Sequence, residues 1–153
     1  MSISSRSCTP DIILPGETTY FQGIGTYTGT ATTNLVATPH PTIKNAKSTE
    51  CIRYSIQNLS FVDDDIWSIK AIGEFVNNTS KKASSLARVA IQLFKKDGTY
   101  LTTMTSTHIG KSVPAGSSIS FNATNSDLVY WPDFTKEDIG KYECFAYELE
   151  ITF

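Results

Sequence analysis

The sequence predicts an all-β fold, an immunoglobulin-like antiparallel β-sandwich of about 7–9 strands with almost no helix. Three observations lead there. Over residues 67–76, Ile69, Ala71, Gly73 and Phe75 alternate with Lys70, Ile72, Glu74 and Val76, the period-2 pattern of a half-buried strand. Residues 87–94 alternate again and close on Lys95-Lys96-Asp97-Gly98. Asp-Gly between two β-rich runs is a strong hairpin signal, because both turn residues tolerate positive φ. Against these, the only helical signal is Thr135-Lys136-Glu137-Asp138. It reads as a capping box that opens about one turn before Gly140 stops it.

The remaining elements follow in order. Residues 1–43 hold three charged residues, Arg6, Asp11 and Glu17, and ten threonines, a composition apart from the rest. Within them, residues 11–14 read as a short strand ended by Pro15-Gly16. Residues 18–33, rich in Thr and Gly with Tyr20, Phe21 and Tyr27, suit extended structure. Pro39 and Pro41 then break the chain. Residues 51–57 place Ile52, Tyr54 and Ile56 on one face and Cys51, Arg53 and Ser55 on the other. Residues 61–65 end in an acidic turn. Residues 100–109 form a Thr-rich strand, and 112–116 a turn. Residues 118–123 alternate again. In the last strand, 143–153, Phe145, Tyr147, Leu149, Ile151 and Phe153 share one face, taken as the core side. Cys144, Ala146, Glu148 and Glu150 share the other. The chain thus divides into N-terminal strands or an assembly arm, 1–43, and a sandwich, 44–153, within one compact domain overall.

The middle of the chain carries a family resemblance. Gly73-Glu74-Phe75-Val76-Asn77-Asn78-Thr79-Ser80, Val89-Ala90-Ile91-Gln92-Leu93-Phe94, Asp97-Gly98, Val113-Pro114-Ala115-Gly116 and Phe121 resemble the FxLYD family, across about residues 60–122. Lys95 departs from it, standing where the family usually shows an acid. The resemblance implies an immunoglobulin-like module of the kind found mostly in bacterial and archaeal surface-associated or secreted proteins. It brings no catalytic residues.

Charge and motifs narrow the chemistry. At 153 residues the chain is long enough to bury a core. A net charge of −2 leaves no basic footprint for nucleic acid and no polybasic membrane patch. No apolar run reaches bilayer length. Residues 1–8 lack the apolar stretch of a signal peptide, so the protein acts where it is made, has lost a leader, or leaves with lysing particles. Localisation is unknown, with an extracellular surface or virion favoured over the cytoplasm.

Three cysteines, Cys8, Cys51 and Cys144, have no metal or redox spacing. One disulfide, Cys51 to Cys144, remains open, and three free thiols are favoured. Asp138-Ile139-Gly140-Lys141-Tyr142-Glu143-Cys144, with Trp67 and Cys51, resembles the tyrosine-corner signature of true immunoglobulin domains. That assignment turns Cys144 inward and Phe145, Tyr147 and Leu149 outward, with Glu148 and Glu150 inside unless a bulge intervenes, so the looser immunoglobulin-like one is preferred. Gly23 and Gly25 lack the third glycine and the helix of a dinucleotide loop. Asp63 and Asp65 are a calcium candidate, though three consecutive acids suit a solvated turn better. His40 and His108 have no partners at zinc or general-base spacing. No Gly-x-Ser-x-Gly elbow is present. No cofactor is expected. Asn58, Asn77, Asn78 and Asn122 lie in N-x-Ser/Thr sequons.

These residues point to a non-catalytic structural or assembly protein acting through protein–protein contacts with itself or a neighbouring subunit. Residues 1–43, including Tyr20, Phe21 and Tyr27, would form the contact. The alternative is a carbohydrate- or protein-binding module using Tyr130, Trp131 and Phe134, since aromatic loops offer stacking area at low entropy cost. A loop that plugs the end of the sandwich is the plainer explanation of those aromatics.

Overall fold

The computed structural model describes residues 2–4, 13–20, 24–26, 49–64, 68–106, 109–125 and 134–151. It is all-β. Eight strands are present among these residues: β1 (Ser2–Ser4), β2 (Ile24–Thr26), β3 (Thr49–Asp64), β4 (Ser68–Val76), β5 (Arg88–Phe94), β6 (Tyr100–Ser106), β7 (Ser118–Thr124) and β8 (Lys141–Ile151). One 3₁₀ turn, Lys136–Asp138, precedes β8. β1 and β2 pair with each other, and the other six close into one antiparallel barrel in the order β3-β4-β7-β6-β5-β8.

A closed barrel differs from the two stacked sheets that the alternation suggests, and β3 is the reason. The 16-residue strand joins what reads in sequence as two strands, 51–57 and 61–65. Its first part pairs with β8 through Tyr54↔Ala146, and from Ser55↔Val76 onward it pairs with β4. Asn58 adopts φ 53°, and the register slips between Gln57 and Ser60. This is a bulge, which bends the strand so that it serves both layers. On the other side of the barrel, β6 and β7 meet among the described residues at Thr105↔Thr124.

The core is filled by β4, β5, β6 and β7. Ile69, Ala71 and Phe75 are buried on the face that alternation assigns, as are Val89, Ile91, Leu93, Met104, Phe121 and Ala123. Tyr54 packs its ring 4.8 Å from that of Phe75. Each large apolar side chain buried this way contributes about 1.5–3 kcal/mol.

Asn77 closes one end. It is fully buried, yet every polar atom of its side chain is used. Nδ2 donates to Lys81 O at 2.7 Å and Val113 O at 2.9 Å. Oδ1 accepts from Thr79 N at 3.1 Å and Thr79 Oγ1 at 2.8 Å. Its backbone exchanges bonds with Ser117 and Gly116. One side chain therefore ties the turn after β4 to the turn before β7.

Two local signals form with different geometry from that expected. In the β5–β6 hairpin only Gly98 takes positive φ, +86°. Asp97 instead accepts a hydrogen bond from Thr99 N at 2.9 Å. The backbone and side-chain bonds from Thr99 hold its carboxyl below the usual range. The capping box forms as Asp138 Oδ2 accepts from Thr135 N at 2.8 Å. Gly140 does more than stop that turn. Its N–H donates to Phe94 O at 2.9 Å, and a Cβ there would stand 2.4 Å from Lys96 Cα and 2.5 Å from Lys96 N. Both neighbours are backbone, so they cannot yield without moving the hairpin. Gly140→Ala is expected to lower the unfolding free energy by about 1–3 kcal/mol, read as a lower urea midpoint; an unchanged midpoint would refute the close approach.

Candidate functional site

The face of β8 decides the site. The sequence places Phe145 and Tyr147 toward the core and Cys144, Ala146 and Glu148 toward solvent. The structure reverses this. Cys144 and Ala146 face the barrel interior, whereas Phe145 and Tyr147 belong to a second buried cluster with Ala90 and Cys51 on the outer side. The interior is already occupied by Tyr54, Phe75, Ile91, Leu93 and Met104, which leaves room only for small residues from β8. The feared burial of Glu148 is met by two hydrogen bonds. Its Oε2 accepts from Tyr54 Oη at 2.8 Å and from Ser84 N at 3.0 Å. Burial pushes this carboxyl up, but the bonds from Ser84 and Tyr54 outweigh it and hold the group below the usual carboxylate range.

The outer face of β3, β8, β5 and β6 is a strip built from Arg53, Phe145, Tyr147, Ala90, Gln92, Phe94 and Tyr100. Residues 17–20 lie across it. Glu17 forms an ion pair with Arg53, whose guanidinium sits 5.5 Å from the Tyr147 ring centre and 5.8 Å from that of Phe145. Gln92, fully buried, donates from Nε2 to Thr18 O at 3.5 Å. The Tyr20 ring stacks on Tyr100 at 4.6 Å and 8°, and meets Phe94 edge-on at 5.4 Å. The segment enters through the expected Pro15-Gly16 turn, where Gly16 has φ +88° and Glu17 N donates to Leu14 O at 3.0 Å. Glu17 Oε2 also accepts from Leu14 N at 2.7 Å. One carboxylate thus fixes the turn and the docking.

Of the residues the sequence singles out, Tyr20 takes part in this site. Phe21 and Tyr27 lie outside the described residues, as do Trp67, Tyr130, Trp131, His40 and His108. Phe134 is half-buried and packs against the main core, the behaviour of a plug. Cys51 and Cys144 are free thiols, so the disulfide left open by the sequence is not formed. Cys51 pairs with Leu149, five residues along β8 from Cys144 and on the opposite face, a separation of about 16 Å along the strand. Burial pushes the Cys144 thiol up to about 12, so it is no nucleophile.

Asp63 is exposed and bound to Lys136 Nζ at 2.5 Å, and Asp65 lies outside the described residues. No group of three or more His, Cys, Asp or Glu among the described residues is placed to hold a metal ion. An open depression of about 240 Å³ lies between the β5–β6 hairpin and the 3₁₀ turn, lined by Lys95, Lys96, Asp97, Glu137 and Asp138. Of the sequon residues, Asn77 is closed to modification by its burial.

Sequence reasoning missed Arg53, Gln92, Phe94 and Tyr100 as a docking strip. A signal was available: Glu17 is a rare charge in a charge-poor segment, and Arg53 breaks an otherwise uncharged alternation over 51–57. No family model, curated protein or solved structure matches the chain. No helix of the described residues is long and apolar enough to cross a membrane.

The Glu148 geometry has a pH consequence. A carboxyl held lower in the folded state stabilises the fold above its unfolded value, and that contribution is lost as pH falls through the folded value. Glu148→Gln is expected to lower stability by about 1 kcal/mol at pH 7, allowing for the solvent that reaches the group. The difference should shrink below the usual carboxylate range. Urea titrations at neutral and acidic pH check this, and a gap that widens on acidification would contradict it.

Proposed function

We propose that this chain is a non-catalytic, immunoglobulin-like module of FxLYD type that serves as a structural or assembly subunit of a larger particle or cell-surface structure. It acts through protein–protein contacts, with its N-terminal residues as a contact element. The sandwich reading takes the barrel as two layers that share β3, β3-β4-β7 and β3-β8-β5-β6, divided at the Asn58 bulge and between β6 and β7.

The observation that carries the proposal is how residues 17–20 are held. This segment meets the barrel through contacts that include an ion pair, a stacked ring and a side-chain hydrogen bond. Such contacts do not depend on continuity of the chain. The same segment of a neighbouring subunit can make them equally well, as in arm exchange between protomers. The ionisable groups with shifted behaviour support the non-catalytic part: Asp97, Asp138, Lys136, Lys141 and Glu148 are each engaged by turn or strand neighbours, and burial holds Cys144 as a thiol.

Light scattering on the full chain and on a Glu17→Gln/Tyr20→Ala double variant tests this. The parent is expected to form an assembly whose mass falls in the variant while its circular dichroism is retained. Equal masses in the two would overturn the reading.

A further inference from the structure

We propose that the outer strip of the barrel is a peptide-recognition site that reads a carboxylate and, three residues further on, an aromatic ring, and that its ligand is residues 14–20 of a second copy of this chain. This rests on the assembly reading and deepens it. It names the receiving surface and the chemistry by which one copy selects the segment of another.

The strip reads the segment at three points. At the first, Arg53 on β3 pairs with the Glu17 carboxylate, and its guanidinium lies 5.5 Å from the Tyr147 ring centre. A ring against a guanidinium holds the planar fork in place for a carboxylate. At the second, Gln92 on β5 is fully buried and donates to the main-chain carbonyl of Thr18. Thr18 itself is exposed, so this contact fixes position and leaves the side chain unread. At the third, Tyr100 on β6 stacks on Tyr20 with the ring planes 8° apart, while Phe94 meets Tyr20 edge-on. Phe94 and Tyr100 stand at 69° to each other, so the receiving slot is a corner of two rings. A flat ring fills such a corner, and an aliphatic side chain forfeits the stack.

The spacing of the segment fits the spacing of the strands. Arg53 and Tyr100 lie three strands apart in the order β3-β8-β5-β6, about 14 Å. Glu17 and Tyr20 in extended chain are about 10 Å apart, and the long Glu17 and Arg53 side chains span the rest.

The ligand is also shaped before it docks. Glu17 N donates to Leu14 O at 3.0 Å, and Glu17 Oε2 accepts from Leu14 N at 2.7 Å. Pro15 followed by Gly16 at φ +88° is the type II turn pattern, so residues 14–17 close on themselves. A segment shaped in this way loses less entropy on binding. The receiving strands are joined by their own ladders, whichever copy supplies the segment. Twenty-eight residues separate Tyr20 from Thr49, and closure costs rise slowly with length, so a neighbour's strip is within reach.

Fluorescence anisotropy tests the code. The receptor is the full chain carrying Glu17→Gln/Tyr20→Ala, whose own segment no longer competes, and the probe is a labelled peptide of residues 13–20. Saturable binding is expected. Glu17→Gln or Tyr20→Ala in the peptide should each weaken it about tenfold or more, and Thr18→Ala should leave it within about twofold. On a receptor that also carries Arg53→Gln, Glu17→Gln in the peptide should cost nothing further. No binding, or equal binding of the altered peptides, would overturn the proposal.

Mixing tests the occupant. The Glu17→Gln/Tyr20→Ala chain offers a strip without a segment, and a Tyr100→Ala chain offers a segment without a complete strip, with Arg53→Gln as the substitute if circular dichroism shows Tyr100→Ala unfolded. Light scattering of the equimolar mixture should give a mass above that of either chain alone. A mixture no heavier than its parts, with the peptide still bound, would place the segment on its own copy and overturn the second-copy ligand. Failure of the peptide alone leaves an assembling parent to be explained by other contacts. A parent no heavier than its double variant removes the assembly reading, and the second-copy ligand with it, even where the peptide binds.

Discussion

The two-sided burial of β8 is the constraint on which the rest of this structure turns. An outer strand of a small β protein usually keeps one face in water, but β8 has Ala146 at 3% exposure on the inside and Tyr147 at 1% on the outside. Small inner residues leave space for Tyr54 and Phe75, diagonal neighbours on the paired strands β3 and β4 with ring centres 4.8 Å apart. Large outer residues demand a cover, and residues 17–20 supply part of it through Arg53, Gln92, Phe94 and Tyr100. The close passage of Gly140 against Lys96 belongs to the same arrangement, since it sets where β8 begins. Residues 17–20 thus lie over the outer side of the barrel.

Closure follows from different physics. The Asn58 bulge lets one long strand serve two layers, and Asn77 pins the turns that flank β4 and β7. A buried asparagine with all its polar atoms paired is costly to misplace, because each carbonyl it leaves unmet carries a desolvation penalty. It therefore specifies how the two turns sit. Between β6 and β7 the described residues show the pair Thr105↔Thr124.

What the sequence made legible is what short-range chemistry dictates. The faces of β4 and β5, the Pro15-Gly16 turn, the β5–β6 hairpin and the capping box at Thr135 follow from neighbours a few residues apart. The orientation of β8 does not. Alternation says that Phe145 and Tyr147 lie opposite Cys144 and Ala146, but not which pair faces in. That depends on the volume claimed by Tyr54, Ile91 and Met104 from distant parts of the chain. The continuity of β3 was hidden for a similar reason, since the pairing with β4 that carries 51–57 on into 61–64 is not visible from neighbours along the chain. Of the candidate site, Tyr20 was visible as an aromatic in a charge-poor segment, while its partners look like ordinary strand residues until residues 17–20 cross them.

The measurement that bears most directly on this account is the nuclear Overhauser contact of the Tyr20 ring in solution. If residues 17–20 cover the outer face of β8 and β5, the Tyr20 ring protons show cross-peaks to the rings of Tyr100 and Phe94, with ring-current-shifted resonances. A Tyr20 ring at unperturbed shifts with no such cross-peaks would contradict the covered face and, with it, the role given to the N-terminal segment.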